Sequence, residues 1–116
     1  MWNDERPLSP EEEEAEAKKA EQKLLSDPRV SVNDDGTKTV ILSVPVERKG
    51  LSPIEEVTFR KPKGKDWLAA DRAKGKMEAA TRMAASISGL PYEVFLEMDG
   101  DDMLLCVGIS GLMGKK

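Results

Sequence analysis

Hydrophobic and polar positions change rhythm along this chain. From Ser9 to Leu25 the pattern is almost wholly polar. Ser9, Pro10 and the acidic run Glu11-Glu12-Glu13 make a good helix start, with a hydroxyl to cap it, proline at the first helical position and carboxylates facing the positive end of the dipole. Between Ala15 and Leu25, however, the only large apolar residues are Leu24 and Leu25. A helix there has little to bury, so the segment reads as a solvated, fraying helix or disordered arm, with a partner-binding segment as the alternative.

Beyond the turn at Asp34-Asp35-Gly36 the period becomes two. Thr39 to Val44 is rich in β-branched residues, with Val40, Leu42 and Val44 alternating to one face, and the run is expected to stop at Pro45. Glu55 to Arg60 also alternates, with Val57 and Phe59 opposite Glu56, Thr58 and Arg60. Lys49-Gly50 lies between the two runs, so an antiparallel hairpin is predicted. A two-stranded ribbon is marginal alone, which requires helices against its apolar face.

Those helices follow. Pro62 and Gly64 end the second strand, and Asp66 stands where an N-cap belongs, ahead of Trp67-Leu68-Ala69-Ala70. The helix is interrupted near Gly75, after which Met77, Ala80, Ala84 and Ile87 form an apolar stripe at helical spacing. Gly89 stops it, and Pro91 begins a short helix with Val94, Phe95 and Met98 on its apolar side. Asp99-Gly100-Asp101-Asp102 recaps the chain before a last helix through Met113. Apolar residues lie on most sides of that helix, so it should be buried on most sides, in the centre of a monomer core or against a second chain. The fold class is α+β: a β-hairpin packed on three to four short helices (residues 38–116), preceded by an acidic arm (residues 1–37).

Charge sharpens this division. Of 22 Asp/Glu and 18 Lys/Arg, the acidic excess lies before Lys38, and the rest of the chain is slightly basic. An acidic arm repels nucleic acid and anionic membrane. Cys106 is the single cysteine and sits in the apolar run Met103 to Val107, which fits a reduced, cytoplasmic setting. Residues 1–7 have no basic region followed by an apolar stretch, and no segment has the roughly 18 apolar residues that span a bilayer.

Chemistry is sparse. With no histidine, the commonest general base and imidazole ligand are missing. Cys106, Ser86, Ser88 and Ser110 stand in no nucleophile motif. Asp99, Asp101 and Asp102 lack the twelve-residue calcium-loop pattern and its bidentate glutamate, and Lys63-Gly64-Lys65 lacks the spaced glycine of a phosphate loop. No enzyme activity, metal or cofactor is expected. A nucleic-acid surface is the alternative the sequence offers, using Arg60, Lys61, Lys63 and Lys65 with Trp67, Arg72 and Lys76. It has one aromatic for stacking, and three of the eight cations between Arg60 and Arg82 have acidic neighbours at helical reach. The acidic arm could also fold back on this basic stretch when no partner is bound.

The order Ile54 to Pro62, Gly64-Lys65-Asp66, Ala69-Ala70-Asp71, Ser88-Gly89-Leu90-Pro91 and Met98-Asp99 with Asp102 behind it resembles the small tail assembly chaperones of Mu-like and P2-like contractile-tailed bacteriophages. The likeness covers about residues 38–113. The arm before Lys38 departs from the pattern, as does Ser88, where threonine is frequent. The resemblance implies a non-enzymatic protein that binds the long helical tape measure protein, keeps it soluble and is displaced as tail tube subunits polymerise. It also implies a longer frameshifted product that recruits tail tube protein, and Gly114-Lys115-Lys116 can be encoded by a purine-rich slippery tract. An adaptable apolar surface suits such a role. Met77, Met83, Met98 and Met103 are expected to line the contact with the tape measure protein or a self-association interface. Leu104, Leu105, Ile109, Leu112 and Met113 extend that set, and plain core packing is the alternative for each. Asp66, Gly89, Pro91 and Asp99 are assigned to caps and turns.

Overall fold

Ser9 starts the first helix as its neighbours require. Its hydroxyl accepts from the Glu12 amide at 3.2 Å, and the Glu12 carboxylate accepts from the Ser9 amide at 3.3 Å, a reciprocal capping box. Helix α1 then runs over Pro10–Leu25 with no buried residue. Leu24 secures its C-terminal end, lying so close to Gly108 that a Cβ there would come within 2.9 Å of Leu24 Cδ2. The computed structural model describes residues 9–114, so the N-terminal stretch on which the expectation of no leader rests and the Lys115-Lys116 tract lie outside the described residues.

Three antiparallel strands follow in the order β1 (Val30–Val32), β2 (Lys38–Arg48) and β3 (Leu51–Phe59). The predicted hairpin is present, with Val40 opposite Val57 and Lys38 opposite Phe59. Gly50 takes a φ of 76° in its two-residue connection, a conformation that costs glycine nothing. Strand β1 adds a third member that no alternation announced, within the segment read as an arm. Its backbone pairs Val30 with Val40, and the Arg29 carbonyl just before it accepts from the Ile41 amide at 2.8 Å.

Pro45 does not end β2. The strand passes through it to Arg48, with a register shift between Ile41 and Val46 that leaves Pro45 in a bulge, where its missing N–H breaks no ladder bond. The bulge also corrects the predicted inward face. Val44 is 52% exposed, whereas Val46, at 4%, takes the core position.

Helices α2 (Gly64–Asp71), α3 (Lys76–Ser88), α4 (Tyr92–Leu96) and α5 (Gly100–Met113) complete the chain. Gly75 caps α3, Gly89 closes it at a φ of 74°, Pro91 precedes α4, and Asp99 caps α5 by accepting from the Asp101 amide at 3.2 Å. Helices α3 and α5 pack on the sheet. Phe59, Val40 and Val57 from the strands meet Ile87, Phe95 and Ile109 from the helices in a fully buried core. Helix α5 is covered on most sides, as its composition requires, by α3, the sheet and α1: Leu105, Cys106, Ile109, Ser110 and Met113 are inside, while Leu104 is 55% exposed and Gly111 faces outward. Only the row through Leu104 and Gly111, two turns apart, stays open.

Two carboxylates are fully buried, and both occupy the third position of a helix. Asp66 is not the N-cap of α2; that place belongs to Lys63, whose amide donates back to Asp66 at 2.6 Å. Asp66 also takes both Arg60 guanidinium nitrogens, at 2.8 and 3.0 Å, and the Ser86 hydroxyl. Asp102 in α5 accepts from the Ser43 and Val44 amides, both at 3.0 Å, and from Arg29 at 2.9 Å. Those two amides lie in the irregular stretch of β2 between Ile41 and Val46, where no residue is paired with β3.

The Arg60 guanidinium holds the Asp66 carboxyl well below the usual range. Burial pushes Asp102 upward, but the Val44 and Ser43 amides and Arg29 outweigh it and leave its carboxyl lowered. With both folded pKa values depressed, these carboxylates stabilise the fold above the unfolded aspartate value of about 3.9, and that contribution disappears as pH falls below it. Urea unfolding should therefore show stability falling below about pH 4. At neutral pH, Asp66→Asn or Asp102→Asn should each cost about 3 kcal/mol, because an arginine loses its buried partner.

Candidate protein-docking groove

Where α2, α3 and α5 diverge, an apolar groove of about 290 Å³ opens. Trp67 and Ala70 form the α2 wall and Ala79 and Ala80 the α3 wall, with the buried Met83 beneath. Val107, Ser110, Gly111 and Gly114 form the α5 wall. Small residues create the space: a Cβ at Gly111 would meet nothing within 4 Å, and one at Gly114 would come 3.4 Å from the edge of the Trp67 ring. Trp67 thus stands over the end of α5 while remaining 54% exposed. The Ser110 hydroxyl is buried and has no hydrogen-bond partner among the described residues. A volume at the foot of the usual ~300–1,000 Å³ range for small-molecule sites, with one hydroxyl and no charge in its lining, suits inserted apolar side chains better than a cofactor.

Helical spacing extends this apolar surface. Met77 lies one turn before Ala80, and Leu104 one turn before Val107. Both are exposed, at 53% and 55%. The nine residues expected at a contact therefore divide. Met77 and Leu104 are on the surface beside the groove, and Met83 lies under it. Met98, Leu105, Ile109 and Met113 are core residues that offer a partner little surface, Met113 reaching the edge of a hollow it shares with Leu112. Met103 and Leu112 are half-buried, and Leu112 borders a different hollow together with Lys38 and Lys61. The groove itself depends on alanines and glycines, of which the apolar stripe read from the sequence contained Ala80 alone; the further signal available was the run of small residues at helical spacing in α3 and α5.

The basic set divides as well. Arg60 is bound to Asp66, so it cannot act as a free phosphate ligand, and Trp67 is part of the groove wall. Lys61, Lys63, Lys65, Arg72 and Lys76 are exposed on α2 and its flanks. Arg82, paired with Glu78, lies 4.3 Å from the Tyr92 ring centroid. Among the described residues, helix α1 of the acidic arm makes its main contacts with α5 and β1 rather than with the basic stretch.

No helix among the described residues is long and apolar enough to cross a membrane, and no cluster of three or more potential metal ligands occurs among them.

A family model described as "Phage tail assembly chaperone proteins, E, or 41 or 14" matches residues 39–108, from the start of β2 into α5. That is more than half of the chain, and the chain belongs to this family of phage tail assembly chaperones. No curated protein and no solved structure matches it.

Burial pushes the Cys106 thiol up to about 12, and the neighbouring Asp102 charge adds to the effect. A thiol held protonated and enclosed does not react. Ellman's reagent at neutral pH should leave Cys106 unmodified in the native chain and titrate one thiol once urea unfolds it.

Proposed function

We propose that this chaperone binds the tape measure protein during tail assembly, in the host cytoplasm and without catalysis, by seating apolar side chains of a tape measure helix in the groove between α2, α3 and α5. The groove carries this reading. It is an open, preformed apolar space with exposed Trp67, Met77 and Leu104 around it, in a protein whose family acts on tail proteins. A long helical protein awaiting its tube exposes apolar stripes to water, and covering one stripe keeps it soluble. Methionine and leucine at the rim adapt to different helix faces, and a small contact releases readily when tube subunits compete for the same surface.

The contact set for this function is accordingly Trp67, Met77, Leu104, Val107 and Gly111. The residues Met98, Leu105, Ile109 and Met113 belong to the core on which the helices pack. Gly111→Phe places a ring in the open space without touching the core, so the variant should keep its unfolding midpoint and lose the partner. Co-expression with the tape measure protein, followed by size-exclusion chromatography with light scattering, should give a soluble complex for the parent chain and none for Gly111→Phe. Leu51→Ser, at an exposed apolar position on the hairpin connection, should leave the complex intact. A complex that survives Gly111→Phe would move the contact elsewhere.

A further inference from the structure

The two sides of the groove differ in charge. Between Lys61 and Lys76, six exposed cations stand against one exposed carboxylate that makes no ion pair among the described residues, Asp71. None of the six is ion-paired with a described carboxylate, unlike Arg60 and Arg82. Lys63 lies one turn before Trp67, and Lys76 one turn before Ala79 and Ala80, so both continue the helical rows that line the groove. Helix α5, on the opposite side, has no lysine or arginine at all. A helix lying in the groove therefore meets apolar surface and, one turn before Leu104, the exposed Asp101 carboxylate along one edge, and cations along the other.

From this asymmetry we infer that the occupant is an amphipathic helix whose apolar stripe is edged with aspartate and glutamate on the side facing α2 and α3. The inference rests on the groove being the docking site and adds the chemistry of its partner. The division of labour is physical. Exposed ion pairs contribute little each and are screened by salt, whereas apolar insertion supplies most of the affinity. The cations therefore steer the helix and set which edge faces α2, and they disfavour a stripe edged with lysine.

Two synthetic amphipathic helices of about 20 residues test this, sharing one leucine stripe and edged with either glutamate or lysine. Binding is read from Trp67 emission in the full-length Trp2→Phe chain. The glutamate-edged peptide should bind about tenfold more tightly at about 50 mM salt, and the difference should close near 500 mM. The double variant Lys63→Glu/Lys76→Glu should remove or invert the preference while leaving the unfolding midpoint unchanged. Equal binding of the two peptides would overturn the charge assignment and leave the groove as a docking site. Binding of neither would strike the groove itself, and the inference with it. Concentration-dependent dimers that dissociate in salt and disappear on substituting the α1 glutamates with glutamine would assign the groove to α1 of a second copy, overturning the separate partner.

Discussion

Two buried carboxylates hold the secondary structure of this protein in register. Asp66 and Asp102 occupy equivalent third positions in α2 and α5, where a negative charge faces the unsatisfied amides and positive dipole of a helix start. Each reaches beyond its own helix. Asp66 gathers Arg60 from the end of β3 and Ser86 from α3; Asp102 gathers the bulged amides of β2 and Arg29 from the turn before β1. A buried charge is tolerated only when its oxygens are filled by donors, and once filled it admits few alternative arrangements of the elements that supply them.

Asp102 also explains the path of β2. A proline in a strand interior removes a ladder donor, and a bulge leaves amides without strand partners. Both disruptions fall on the same few residues, and the helix carboxylate supplies the acceptors that the neighbouring strand does not. The bulge, the inward turn of Val46 and the docking of α5 are thus one arrangement. Arg29 comes from outside the region matched by the family model, so the preceding segment is tied electrostatically to the matched region through Asp102.

With the frame held by charge and the sheet side filled by large side chains, the space between α2, α3 and α5 is left to small ones. Alanine and glycine let the helices approach without filling the volume between them, which produces a groove rather than a second core layer. A shallow apolar surface on that frame is what the proposed docking of another protein's helix requires, since burial of the partner's apolar side chains would supply the free energy.

Local physics made much of this legible in the sequence. Ser9-Pro10, Gly50, Gly89, Pro91 and Asp99 act where their backbone preferences or capping chemistry place them, and the alternation around Val40, Val57 and Phe59 identified one sheet face. The order of motifs from Ile54 to Asp102 carried the family. What only the tertiary structure decided were features that depend on residues distant in sequence. Strand β1 forms because β2 offers it an edge; Val44 yields to Val46 because Asp102, nearly sixty residues later, captures the bulge. Most of the apolar residues expected at a partner surface went into the core, since periodicity marks an apolar face without saying whether this chain or another will cover it. The groove was hidden for the same reason: it is defined by side chains that are small, and an empty volume appears only when three helices are placed around it.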